Sequence, residues 1–131
     1  MGLFDNLLKG TDKAENNLKI NWLTLTDSEQ LEEIIKISMA KPVLIFKHST
    51  RCGTSRMALR NFESDYDIPA PKIDMYFLDL LNFRALSNDI SEKFKVAHQS
   101  PQVLVIKNGK SVYNDSHYSI SLKAIKEIVD K

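Results

Sequence analysis

One cysteine among 131 residues is the scarcity that constrains this chain most. A lone Cys52 excludes an intrachain disulfide, a two-cysteine redox pair and any multi-cysteine metal site. Charge of one sign is scarce too. Lys plus Arg is 18 and Asp plus Glu is 17, so the net charge is +1 and offers no electrostatic basis for binding DNA or RNA. Long apolar runs are missing: no stretch approaches the roughly 20 residues of a membrane-spanning helix. The opening MGLFDNLLKG lacks the cationic start, apolar run and cleavage site of a secretory leader. Asn6 stands where a myristoylation signal wants Ser or Thr. These absences predict a cytoplasmic protein, where thiols stay reduced. With only four glycines, no phosphate-cradling loop is expected, and no Gly-x-Ser-x-Gly elbow occurs. His48, His98 and His117 lack metal-ligand spacing, so no metal is expected.

What is present suffices for one domain. Hydrophobic residues make up 43% and charged residues 27%, ordinary globular proportions for a chain long enough to bury a core without staples. Residues 1–20 read as an N-terminal extension, with Leu3, Phe4, Leu7 and Leu8 at helical spacing and a polar stretch after Gly10. A single domain is expected over residues 21–131. It opens with a short strand at Asn21–Leu25. Thr26–Glu29 reads as a capping box for a helix with Leu31, Ile34, Ile35 and Ser38 on one face. After Lys41-Pro42, the continuous apolar run Val43–Phe46 predicts a buried central strand. A loop from His48 to Cys52 leads into a second helix, whose face is Leu59, Phe62 and Tyr66, flanked by Met57 and Ala58. Pro69 and Pro71 break the pattern. Met75–Asp79 reads as a strand, followed by a helix from about Ser87 with Ile90 and Phe94 inward. Gln102–Ile106 and Ser111–Asn114 form a hairpin around Asn108-Gly109, both of which suit φ > 0. Ser119 or Ser121 caps a last helix bearing Leu122, Ile125 and Ile128. The order β-α-β-α-β-α-β-β-α implies parallel crossovers with a terminal antiparallel hairpin.

Cys52 falls directly before the second helix, where unpaired backbone N–H groups and the helix dipole favour a thiolate. Lys47, His48, Arg51 and Arg56 are close in sequence and push the same way. A free cysteine is more often a small buried hydrophobe. The neighbours Ser49, Thr50, Arg51, Gly53 and Thr54 do not make a core, so the reactive reading is favoured.

The strand Val43–Phe46, the run Cys52-Gly53-Thr54-Ser55 and the following helix resemble the active site of thioredoxin-fold proteins, where the motif is Cys-x-x-Cys. Ser55 stands where the resolving cysteine would be, as in monothiol glutaredoxins with Cys-Gly-Phe-Ser. A second segment, VAHQSPQVLVIKNG over residues 96–109, resembles the thioredoxin stretch of loop, cis-proline, strand and Asn-Gly hairpin, with Pro101 at the cis-proline position. A narrower resemblance covers roughly residues 20–130. FKHSTRC-x-x-S-R-M-A-L, the later SPQVLVIKNG and Trp22 resemble the bacillithiol-system family of YtxJ type, which are monothiol bacilliredoxin-like proteins. Gly53 stands where many members carry proline.

The resemblance implies an α/β thioredoxin-like three-layer fold, a central mixed sheet flanked by helices. It implies a thiol–disulfide oxidoreductase that takes bacillithiol from protein mixed disulfides onto Cys52. Ser55 would be placed to hydrogen-bond the sulfur without being able to resolve a disulfide. Pro101, if cis, would keep the backbone of Ser100 exposed beside the sulfur for pairing with substrate backbone. Lys47, Arg51 and Arg56 are candidate partners for the carboxylates of bacillithiol, with His48, Gly53 and Thr54 on the same loop and helix start. His117-Tyr118-Ser119 is a weaker candidate. No bound cofactor is expected; bacillithiol is a co-substrate. The partners are S-thiolated client proteins and a second thiol or a reductase for regeneration. Two other readings stay open. One is a glutathione-type monothiol glutaredoxin sharing an iron–sulfur cluster between two chains. The other is a non-redox thioredoxin-fold binding module.

Overall fold

The computed structural model describes residues 20–131, so the helix expected around Leu3–Leu8 lies outside the described residues. The elements run β1 (Leu23–Thr24), α1 (Glu29–Ser38), β2 (Val43–His48), α2 (Gly53–Asp65), β3 (Asp74–Asp79), α3 (Arg84–Phe94), β4 (Gln102–Lys107), β5 (Lys110–Ser116) and α4 (Leu122–Val129). Short 3₁₀ turns occupy Ala70–Lys72 and His117–Ser119. The sheet order is β1-β3-β2-β4-β5. β1, β3 and β2 are parallel, while β4 pairs antiparallel with β2 and β5 antiparallel with β4. This is the expected three-layer α/β fold with a mixed central sheet.

Strand alternation divides the core into two layers. Val43 and Ile45 of β2 join Leu78, Leu104 and Ile106 against Leu31 and Ile34 of α1 and Leu86, Ile90 and Phe94 of α3. Leu44 and Phe46 join Met75, Val103 and Val105 against Phe62 and Tyr66 on the α2 side and Ile125 of α4. β2 is the middle strand and is buried along its whole length, which accounts for its unbroken apolar run. Ile20 belongs to the second layer and is buried. Ile20, which the sequence reading assigns to the extension, is therefore part of the core.

Several boundaries differ from expectation for local reasons. The first helix is capped by Asp27 and Gln30 rather than by a box at Thr26–Glu29. Asp27 Oδ1 accepts from Gln30 N–H (3.2 Å) and Gln30 Oε1 accepts from Asp27 N–H (3.1 Å), a reciprocal pair one residue further on. α3 begins at Arg84, three residues before the expected Ser87. The turn after β3 supplies its start, where Asp79 accepts from the Leu81 and Phe83 amides. Met57, placed beside the inward face of α2, is half exposed at 50%. At the other end, Ser121 rather than Ser119 caps α4, accepting from Ala124 N–H at 3.2 Å. Asn108 (φ 54) and Gly109 (φ 78) make the expected hairpin turn. Ser38 grips it from α1: its carbonyl accepts from Asn108 N–H at 2.8 Å and its hydroxyl from Gly109 N–H at 2.9 Å.

Candidate functional site

The site forms where β2 hands over to α2. Cys52 is the N-cap of α2, with extended backbone (φ −100, ψ 119), and its side chain is partly exposed. Backbone bonds fold the loop tightly behind it. Cys52 N–H donates to the Ser49 carbonyl (3.2 Å), and Arg56 N–H donates to the Cys52 carbonyl (3.0 Å). The exposed Arg56 guanidinium reaches back to the Thr50 carbonyl at 3.0 Å, which leaves its charge beside the Cys52 turn.

Ser55, one turn into α2, is fully buried. Its hydroxyl oxygen accepts from Ser49 N–H at 3.0 Å and lies 2.9 Å from His48 Nδ1. Ser49 N–H takes up one lone pair of this oxygen and leaves the hydroxyl proton free to go to His48 Nδ1, an arrangement that fits the Nε2–H tautomer of His48. Burial holds the His48 pKa below the usual imidazole value of 6.5, against an upward pull from Asp79 and Glu63. The expectation that Ser55 bonds the Cys52 sulfur is therefore revised. Its two partners are the strand end and the loop backbone, so it works as a strap between β2 and α2.

Lys47 requires a correction. It was grouped with Arg51 and Arg56 as a carboxylate-binding cation, but its side chain enters the other core layer and is fully buried. Its ammonium donates to the Ser87 carbonyl (3.3 Å) and the Ser91 hydroxyl (3.5 Å), and lies 3.4 Å from His98 Nδ1. Burial without a counter-charge lowers its pKa from 10.5 to about 8. Period-two alternation on a strand carried this information: Lys47 shares a face with Val43 and Ile45, His48 with Leu44 and Phe46.

The remaining candidates gather at the same end of the sheet. The pairing Lys47↔Gln102 sets Ser100 and Pro101 beside the C-terminal end of β2. The Ser100–Pro101 peptide is cis. Pro101 is buried, and its carbonyl accepts from His117 N–H at 3.1 Å, bringing the His117–Ser119 turn alongside. The Ser100 hydroxyl is the one buried side-chain polar atom without a partner among the described residues. Arg51 and Gly53 are exposed and Thr54 half-buried at the mouth of the loop. Tyr118 is 79% exposed. It edges a small cavity of about 130 Å³ whose lining includes Asn61 and Phe62 of α2.

Residues to which the sequence reading gave no part in the site belong to the support beneath this loop. Ser49 links Ser55 to Cys52 through its amide and carbonyl. Asp79 pairs in register with His48. Trp22 donates its indole N–H to Glu63 Oε2 at 2.8 Å, and its ring lies 5.9 Å from Phe46, 6.3 Å from Phe62 and 5.6 Å from Phe77. No local pattern announces such contacts, because the partners are 41 residues apart in the case of Trp22 and Glu63. Among the described residues, no helix is long and apolar enough to cross a membrane, and no group of three or more His, Cys, Asp or Glu is arranged to hold a metal ion.

Comparison with known proteins bears on this arrangement. The family model for the monothiol bacilliredoxin BrxC matches residues 23–125. A solved structure described as a candidate oxidoreductase with a thioredoxin fold is 29% identical, with 84% of this chain and 94% of that chain covered and a TM-score of 0.69. Thioredoxin from Trypanosoma brucei brucei is 16% identical over 92% of this chain and 99% of its own, with a TM-score of 0.64. Thioredoxin from Malassezia sympodialis is 18% identical over 82% and 86%, with a TM-score of 0.61. The two thioredoxins establish likeness of fold.

Proposed function

This chain belongs to the monothiol bacilliredoxin family BrxC, and on that premise we propose that Cys52 removes bacillithiol from protein mixed disulfides. The thiol-redox role and the thiol oxidoreductase kind follow from the family and the fold. The substrate, the co-substrate and the cytoplasmic setting are our reading. One observation carries it: the only cysteine caps a helix at a partly exposed position, while the residue one turn on, Ser55, is buried, has no thiol and is engaged elsewhere.

The chemistry follows from that count. The Cys52 thiolate attacks the bacillithiol sulfur of a client protein's mixed disulfide. A Cys52–bacillithiol disulfide forms, and the client leaves as its own thiolate. No electrons are gained or lost in this exchange. With no second cysteine, the Cys52 disulfide waits for an outside thiolate, from a second small thiol or a partner reductase, which attacks the bacillithiol sulfur, pairs with it and releases Cys52 as its thiolate. Arg51 and Arg56 flank the sulfur in sequence and are exposed, placed to meet the carboxylates of the small thiol. The backbone of Ser100 ahead of Pro101 is our candidate for pairing with client backbone.

Intact-mass measurement after incubation with oxidised bacillithiol and, separately, oxidised glutathione tests this reading. The expected result is a one-thiol adduct with bacillithiol on the wild type and none on Cys52→Ala. An adduct with glutathione alone overturns bacillithiol as co-substrate. Absence of any adduct overturns the redox assignment to Cys52.

A further inference from the structure

Under the Cys52 loop, four residues form one unbroken chain of hydrogen bonds. Ser55 Oγ lies 2.9 Å from His48 Nδ1, Ser49 N–H donates to Ser55 Oγ (3.0 Å), and Cys52 N–H donates to the Ser49 carbonyl (3.2 Å). We propose that His48 is a positioning residue for Cys52: by accepting the Ser55 hydroxyl proton at Nδ1, it leaves the Ser55 oxygen turned to Ser49 N–H and fixes the Ser49–Cys52 backbone. The inference rests on thiol exchange at Cys52.

The argument turns on satisfiability. Ser55 is fully buried and His48 is 5% exposed, so water is a poor substitute partner for either. A hydroxyl has one proton to give. If Nδ1 accepts it, the oxygen's lone pairs face Ser49. If Nδ1 has no lone pair to offer, the proton must find another acceptor in the loop, and the geometry that Ser49 and Cys52 share with it is disturbed. A hydrogen-bonded chain of this kind transmits the state of its first member to its last.

His48 protonation removes the Nδ1 lone pair, so the device has a pH dependence that inert packing would lack. Asp79 of β3 and Glu63 of α2 face His48 and favour its charged form, whereas Arg56 of α2 and burial oppose it. β4 brings Pro101 alongside, which carries no charge. The neutral, accepting form is therefore held at neutral pH, and burial moves its loss to the acid side of the ordinary imidazole range.

The test uses His48→Asn, whose side-chain oxygen can occupy the Nδ1 position as an acceptor, and His48→Leu, which has none. Exchange with an S-thiolated peptide should be within about twofold of wild type for His48→Asn and slowed roughly fivefold for His48→Leu at pH 7.5, the loss expected of one hydrogen bond. The wild-type rate divided by the His48→Asn rate should be flat above pH 7 and fall on the acid side, since only wild type titrates there. Amide hydrogen exchange at Ser49 and Cys52 gives an activity-independent readout. Protection should drop in His48→Leu and persist in His48→Asn. Equal behaviour of the two variants in rate and in protection overturns the proposal. Failure of wild type to exchange at all instead overturns the function assigned to Cys52, and the amide protection still decides the role of His48.

Discussion

Lys47 and His48 are consecutive on one strand, both buried and both titratable, yet they serve opposite halves of the molecule. Lys47 enters the layer of α1 and α3, where its ammonium meets Ser87, Ser91 and His98 and, among the described residues, no carboxylate. His48 enters the layer of α2 and α4, where it meets Ser55 and has Asp79 nearby. Burial lowers both pKa values. The consequences differ because the favoured forms differ. A neutral imidazole is a usable acceptor, so burial suits His48 to its position. An ammonium in the same kind of place is a cost that its three partners only partly offset. The half of the molecule that carries Cys52 is thus braced by neutral hydrogen bonds, and the other half holds an uncompensated charge.

Three changes would break or sharpen that contrast. The largest effect is expected at the brace. Ser55→Ala removes the acceptor of Ser49 N–H and the donor to His48 in one step, and should cost about 1–3 kcal/mol in chemical denaturation. A loss below about 0.5 kcal/mol would mean that the strap contributes little to stability. On the other face, Lys47→Met should stabilise the fold at pH 7, with an advantage that shrinks as pH rises. The folded Lys47 releases its proton near pH 8 while the unfolded chain keeps it to about 10.5, so wild-type stability climbs through that window. The gap between the two proteins should narrow by about 1 kcal/mol between pH 7.5 and 9.5, a figure discounted for solvent screening. A gap independent of pH would show that the ammonium is solvated. The smallest effect is expected for Trp22→Phe. It keeps an aromatic ring against Phe46 and Phe77 but loses the bond to Glu63, for about 0.5–1.5 kcal/mol read from the thermal midpoint.

The same two residues show what the sequence made legible. Element order, the central strand, the hairpin turn and the helix start at Cys52 follow from patterns a few residues wide, because backbone geometry and local burial set them. The capping pair slipped by one residue because Asp27 and Thr26 are both good caps; Gln30 Oε1 accepts from both their amides, and the Asp27 carboxylate is the side chain that meets a helix amide in return. At the site, the sequence marked Cys52 and the place of Ser55 but misjudged what Ser55 and Lys47 touch. Charge and closeness in sequence suggested that Lys47, Arg51 and Arg56 share one surface. Alternation along β2 sends Lys47 the other way, and its partners at 87, 91 and 98 are brought to it by the packing of α3 and the loop after it. Side-chain partners more than one element away are set by tertiary packing, which no short window contains.

The double grip of Ser38 on Asn108 and Gly109 has a mechanical meaning for the whole molecule. It ties the end of the first helix to the last hairpin, 71 residues apart in the case of Gly109, at the edge of the sheet farthest along the strands from Cys52. Gly109 has φ 78, which strains any residue with a side chain, and a Cβ built there would sit in ordinary contact with Met39 and Ile35, so the turn is seated closely. One pole of the sheet is stapled shut by its own backbone. The other pole, where β2 runs into the Cys52 loop, has its own tie in Ser55, so the two ends of the sheet are locked independently by one serine each.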